Sequence, residues 1–317
     1  MTKPETSFQM VVERNQHTDD EIDLRMLFTT LWAGKWLILA VTLVFAAVGA
    51  AYALYKPNIY QASVLLAPAN DDGGIGGVSG QLGGLASLAG ISLGSGGSSQ
   101  TLIAKEILQS RAFLSDFIER YDLAVPLLGT EGWNKKTKSW IYNSEIYDVE
   151  TKQWLEDKAG KSHKPTDWDL VNAFKQNHLA ISENKDNGMV VLTIKSQSPE
   201  ASQQWADWLV SDINEHMRKQ EVAEAEARIG YLEEKLNETN VAGMQQVFYQ
   251  LIESETRTVM LANAQQEYVF KTIDPAVIPQ DKSEPKRPLI VVLATMMGGM
   301  LAVFIVFVRA FIKSGRN

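Results

Sequence analysis

Charge disappears from the chain twice. Trp36–Tyr55 is 20 residues without a charged side chain, bounded by Lys35 and Lys56, and Pro288–Val308 is 21 such residues, bounded by Arg287 and Arg309. A membrane-crossing helix needs roughly 20 apolar residues at about 1.5 Å rise each. Each segment therefore predicts a span, and nothing between them does. The first span begins after 35 residues, is long for a signal-peptide core, and ends on Tyr52, Leu54 and Tyr55, an interfacial signature; it reads as an uncleaved anchor. Two spans put both termini on one side. The tail Arg309–Asn317 carries Arg309, Lys313 and Arg316 and no acid, so the positive-inside rule places both termini in the cytoplasm. Before the first span, Leu24, Leu27, Phe28, Leu31 and Trp32 recur at i, i+3, i+4, i+7 and i+8, which predicts an interfacial helix in the arm. The expected layout is a cytoplasmic arm at 1–35, a first transmembrane helix at 36–55, an extracytoplasmic domain at 56–287, a second transmembrane helix at 288–308 and a cytoplasmic tail at 309–317.

Between the spans the periodicity alternates between strand and helix. Tyr60–Ala67 reads as a strand between Pro57 and Pro68. Residues 71–99 hold 11 of the 22 glycines and predict a flexible loop, with Gly83, Gly84, Gly90 and Gly94 as its pliable points, or in part a loose helix, since Val78, Leu82, Leu85 and Ala89 keep helical spacing. Gln100–Tyr121 carries one helical pattern, and 122–165 is irregular and rich in Trp, Tyr and Lys. Thr166 caps a helix bearing Trp168, Leu170, Val171 and Phe174. Leu179–Ser182 and Met189–Ile194 alternate as strands around Asn187-Gly188. Ser198-Pro199-Glu200 then opens the longest helical pattern, about 199–238 and roughly 60 Å long. In its second half Val222, Ala225, Ile229, Leu232 and Leu236 step 3, 4, 3, 4, a seam for a neighbouring helix in the same chain or another. A second helix follows over Met244–Gln266, and strand-like sequence resumes at Tyr268. The fold class is α+β, with long projecting α-helices and two transmembrane anchors.

Composition narrows the function. Residues 56–287 hold 23 cations and 32 acids, a net charge of −9, which disfavours nucleic acid as a partner. There is no cysteine, hence no disulfide framework and no thiolate chemistry. Phosphate-loop patterns are missing. Gly90-Ile91-Ser92-Leu93-Gly94 fits G-x-S-x-G but lacks the strand and helix of a nucleophile elbow. His17, His163, His178 and His216 are scattered. Glu233/Glu234 read as solvated, and Asp167/Asp169 as first-turn carboxylates. Trp133, Trp140, Trp154 and Trp168 read as core packing in preference to sugar stacking. No catalytic residue, cofactor or metal is expected.

Three stretches carry a resemblance. DEIDLRMLFTTLWAGKWLI leads into the first span and EYVFKTIDPAVIP leads back from the domain. Pro285-Lys286 is followed after 11 residues by Gly298-Gly299-Met300. Together they resemble the polysaccharide co-polymerase family, the Wzz-type chain length determinants of lipopolysaccharide O-antigen. Pro275 and Pro279 are spaced one residue wider than the family pattern, Glu284 separates Ser283 from Pro285, and Leu301-Ala302-Val303 replaces a run of small residues. The resemblance implies a non-enzymatic homo-oligomer, commonly octameric, in the bacterial inner membrane, with its main domain periplasmic. It implies control of polymer length beside a Wzy-type O-antigen polymerase acting on an undecaprenyl-pyrophosphate-linked glycan, with membrane lipid around the spans. The short tail and lack of a kinase motif fit the O-antigen or enterobacterial-common-antigen subtype. On this resemblance Pro285, Lys286 and Pro288 set the entry to the second span, while Gly298, Gly299 and Met300 serve span packing and polymerase contact. The alternative reading is a polysaccharide export adaptor or a periplasmic sensor.

Overall fold

The computed structural model describes residues 30–69 and 96–314. In chain order the elements are α1 (Lys35–Tyr55), β1 (Tyr60–Pro68), α2 (Gly96–Leu108), α3 (Arg111–Arg120), α4 (Ala124–Leu128), β2 (Thr130–Asn134) and β3 (Ser139–Tyr142). Next come β4 (Tyr147–Asp148), β5 (Gln153–Trp154), α5 (Asp167–Ala173), a π-helical turn at Phe174–His178, β6 (Leu179–Glu183) and β7 (Val190–Ser196). The chain finishes with α6 (Pro199–Glu238), α7 (Ala242–Ala264), β8 (Phe270–Asp274) and α8 (Arg287–Ser314). Two compact units result: Met1–Tyr55 with Lys286–Asn317, and Lys56–Pro285. In the first, α1 and α8 are long and apolar enough to cross a membrane.

The second unit is built on a sheet of order β6-β7-β1-β8, antiparallel throughout. The first and last strands of the unit are neighbours, so the chain enters and leaves it side by side. β1 lies between β7, in register from Tyr60↔Ser196 to Leu66↔Val190, and β8, where Pro68 faces Phe270. Tyr60, Ala62, Val64 and Leu66 alternate inward on β1, as do Val190, Leu192 and Ile194 on β7. This is the two-residue period of a sheet with one covered face. The cover is the first half of α6, whose Trp205, Leu209, Ile213 and Met217 are all buried at four-residue spacing. Phe117, Phe174 and Phe270 complete the core. Each such side chain, fully removed from water, contributes about 1.5–3 kcal/mol. The start of α6 is fixed locally: the Ser198 hydroxyl accepts from the Ala201 amide at 3.1 Å, and Pro199 takes the first helical position.

Three stretches differ from the sequence reading. The single helix expected over Gln100–Tyr121 is two, because Ser110 turns to extended backbone and caps α3 at the Phe113 amide, 3.3 Å away. The break lets Leu108 and Leu114 both reach the core. Residues 122–165 are irregular only in part: besides the short helix α4 they hold two small hairpins, with Trp133 opposite Trp140 and Tyr147 opposite Trp154, held by cross-strand aromatic pairs. Residues 96–99, at the end of the glycine-rich stretch, belong to helix α2. Gly83, Gly84, Gly90 and Gly94, with Val78, Leu82, Leu85 and Ala89 of the loose helix and Leu24, Leu27 and Phe28 of the expected interfacial helix, lie outside the described residues.

Candidate functional site

Within the first unit, α1 and α8 run antiparallel along a seam of small residues. A Cβ built on Gly298 would stand 2.5 Å from Phe45 Cβ, one on Gly49 2.5 Å from Ala294 Cβ, and one on Gly34 2.7 Å from the Val306 methyls. A side chain at Gly49 or Gly298 would force the helix pair to shift, and one at Gly34 would displace the Val306 methyls. At the far end of the pair the Arg287 Nε–H donates to the Ala53 carbonyl at 3.0 Å. On α8 the seam is Ala294, Gly298, Ala302 and Val306, one face at four-residue spacing. Close approach of this kind is how helices associate where lipid removes the hydrophobic driving force. Gly299 differs: the nearest atom to its built Cβ is Thr42 Oγ1 at 3.8 Å, ordinary contact. Met300 is 73% exposed and shares the outer face with Met296, Met297 and Phe304. The Gly-Gly-Met triplet thus splits into one packed residue, one permissive residue and one outward side chain.

The segment leading to α8 is anchored before it leaves the second unit. Ile59 donates to the Glu284 carbonyl at 2.9 Å and accepts from the Ser283 and Glu284 amides at 2.9 and 3.2 Å. Lys195 on β7 pairs with the Glu284 carboxylate at 2.6 Å. Beyond Pro285, the Lys286 carbonyl accepts from Ile290, 3.2 Å away. Pro288 therefore sits in the first helical turn, where its missing N–H has no intrahelical partner to lose.

The second unit extends its two longest helices, α6 and α7, as an arm. The seam Val222, Ala225, Ile229, Leu232, Leu236 turns toward α7 of the same chain; Ala225 is fully buried and the others half-buried. Phe248, Ile252 and Val259 answer from α7. Arg228 bridges the pair through Glu255 at 2.9 Å and Glu221 at 3.2 Å. Where the arm meets the sheet, buried Asn214 donates to the Phe270 carbonyl at 3.0 Å and accepts from the Val269 and Phe270 amides at 2.9 Å each. This side chain holds the last strand against the long helix. Nearby, buried Asp212 accepts from the Tyr121 hydroxyl at 3.0 Å and faces Arg120 at 3.3 Å. Burial pushes the Asp212 carboxyl up, against the opposing pull of Tyr121 and Arg120. Several apolar side chains of α7 stay open among exposed polar ones: Met244, Val247, Tyr249, Leu251, Met260 and Leu261 are 45–68% exposed.

The candidate polar groups have structural uses. His178 stacks on Phe174 and shares a 2.7 Å hydrogen bond with the Lys195 carbonyl, and burial lowers its pKa. His163 bonds the Leu155 carbonyl at 3.0 Å, and His216 meets Phe113 edge-on. Asp169 completes a capping box with Thr166, whose hydroxyl holds its carboxyl below the usual range. Among the described residues, no group of three or more His, Cys, Asp or Glu is placed to hold a metal. Trp133, Trp140 and Trp154 are half-buried. Trp168 overturns the core-packing expectation: it is 61% exposed, because Leu170 and Val171 already fill the inward face of α5. The sequence reading did not single out Gly34, Gly49 or Asn214. Gly49 had a signal in the small residues of the first span; Asn214 had one as a polar residue beside the Leu209–Ile213–Met217 face.

Comparison with known proteins follows the same geography. The family model described as Wzz, chain length determinant protein, matches residues 20–121. One described as GNVR, a G-rich domain on putative tyrosine kinase, matches residues 236–311. No curated protein matches. Among solved structures, a full-length bacterial polysaccharide co-polymerase aligns over 93% of this chain and 99% of its own, at 14% identity and a TM-score of 0.38. One family match runs from just before α1 through α3 and the other from the end of α6 into α8, so the chain carries a region similar to the Wzz chain length determinant domain and a region similar to the GNVR domain, one toward each end.

Proposed function

We propose that this protein sets the modal length of lipopolysaccharide O-antigen, with no catalysis of its own, as a homo-oligomer beside a Wzy-type polymerase. The observation that carries the reading is the chain length determinant match over 20–121. In this reading both termini are cytoplasmic, the domain at 56–287 is periplasmic, and the polymer grows on an undecaprenyl-pyrophosphate carrier. The exposed apolar side chains of α7 support self-association, since Met, Val, Tyr and Leu left in water favour a protein partner. A ring of copies, eight in the family's common form, repeats that contact.

The span hairpin is the second working part. Gly298 serves packing of the spans on each other, while Gly299 and Met300 belong to a surface left for the polymerase. Pro285, Lys286 and Pro288 hold the entry to the second span. Deleting the gene tests the function: lipopolysaccharide on a gel is expected to lose its modal clustering while polymer is still made. An unchanged length distribution sinks the proposal. Gly298→Leu with Gly299→Leu is expected to broaden the ladder without stopping synthesis. Gly299→Ala alone is expected to leave it unchanged, as a methyl there meets nothing closer than 3.8 Å.

A further inference from the structure

A groove on the second unit is used by none of the features above. α3, α5 and the β4–β5 hairpin enclose an open cleft of about 520 Å³ with Ile118, Leu170 and Val171 in its floor. A second hollow of about 550 Å³ along α3 shares Ser115 and Glu119 with it, so the two are continuous. An aromatic ring lines one end, and a second stands beside the other end, next to the lining residue Arg111. Trp154 lies in the cleft, held edge-on by Tyr147 at 5.3 Å and seated against Gly129, whose built Cβ would stand 3.3 Å from the indole tip. At the other end Trp168 is 61% exposed, with the Arg111 guanidinium 6.0 Å from its ring centre.

The rim has an unusual charge pattern. Glu119, Asp122, Lys152, Lys164 and Asp167 are all exposed and lie around one cleft, yet none of the ion pairs among the described residues involves any of them. Elsewhere on the unit charges do pair, as Arg228 does with three glutamates. Over both hollows the cations Arg111, Lys152 and Lys164 face the acids Asp116, Glu119, Asp122 and Asp167, a net of 3 − 4 = −1. Such a surface attracts neither a polyanion nor a polycation. It offers carboxylate acceptors and ammonium donors in alternation, and a flat indole that packing does not need. A chain of sugars matches each feature. Hydroxyl groups donate and accept at once, and the C–H face of a pyranose lies against an indole as a apolar surface with a polar edge does.

We propose that the groove along α3, from Trp154 to Trp168, is a glycan-binding groove that takes a segment of the polysaccharide. The inference rests on the chain-length reading for the identity of the polymer. Trp168 is the platform, Glu119 and Asp167 accept from hydroxyls, and Lys152 and Lys164 donate to ring and hydroxyl oxygens.

The test uses the full chain in detergent micelles, titrated by calorimetry with lipid-free polysaccharide released by mild acid from the producing strain, with dextran as control. Saturable binding of the strain's polymer is expected, weakened at least tenfold by Trp168→Ala and several-fold by Glu119→Gln. Trp168→Tyr should recover part of the loss. Circular dichroism and melting should be unchanged in all three, since these side chains are exposed. Absence of polysaccharide binding, equal binding by wild type and Trp168→Ala, or binding only of peptides from the polymerase overturns the assignment. The two proposals fail separately. If deleting the gene leaves polymer length unaltered, the chain-length function falls. If deletion alters length but Trp168→Ala binds polysaccharide normally, only the groove falls.

Discussion

The two halves of α6 share one backbone and meet opposite surroundings. Pro199 to Met217 lies on the sheet, with Trp205, Leu209, Ile213 and Met217 buried on one side and even Ser202, Asp212 and Asn214 covered. Beyond it only Ala225 is buried, and the contacts are a narrow seam with α7. The first half is stabilised by removal of a broad apolar face from water. The second is stabilised by a stripe, by helix propensity and by charge pairs such as Arg228 with Glu221, Glu224 and Glu255. A helix that continues about 20 residues, roughly 30 Å, past the core it belongs to adds little to the stability of that core. Its length makes surface, and the surface it makes is the open side of α7.

Mutations should separate the halves sharply. Leu209→Ala removes a fully buried side chain and should cost about 2–5 kcal/mol, read as a large fall in melting temperature of the detergent-solubilised protein. Asn214→Ala should cost about 1–3 kcal/mol, because the Val269 and Phe270 amides and the Phe270 carbonyl lose their partner in a dry site. Hydrogen exchange should show the loss first in β8, and protection of β8 equal to wild type would refute that role.

His178 should make the sheet end of the molecule acid-sensitive. Burial lowers its folded pKa below the ordinary 6.5, so as pH falls the unfolded chain takes up the proton first. The stability it contributes is complete above 6.5 and is lost as pH falls through 6.5 toward the folded value, by at most about 1.4 kcal/mol per pH unit. Melting temperature of His178→Gln should be flatter than wild type over that window. Asp212 works in the opposite sense and a lower range: its folded pKa is raised above 3.8, so its contribution is greatest below 3.8 and declines as pH rises through the folded value. Smallest of all, Arg228→Ala on the arm should cost only about 0.2–1 kcal/mol, since the guanidinium is 43% exposed and solvent screens it. A loss comparable to that of Leu209→Ala would mean that the arm is part of the core after all.

Much of this was legible in residue order. The two uncharged runs, the alternation in β1 and β7, and the Ser198-Pro199 start of α6 are local patterns, and local patterns survive folding when a single broad face is buried. The small hairpins were not legible, because strands of two to five residues are too short to show a period and depend on partners such as Trp133 with Trp140. The break before α3 was hidden because helical periodicity runs across it, and one serine cap decides the matter. At the candidate site, Gly298-Gly299-Met300 was visible as a motif, but its division into packed, permissive and exposed members was not.

The sequence by itself therefore determined the two long apolar helices, the α+β class and the long helix, since each follows from length, charge and periodicity within one segment. The tertiary structure alone decided which glycines are closely packed, that the heptad seam is answered within the same chain, and that Trp168 faces water while its neighbours face the core. Those outcomes depend on what a second segment places a few ångströms away, and no local pattern records that.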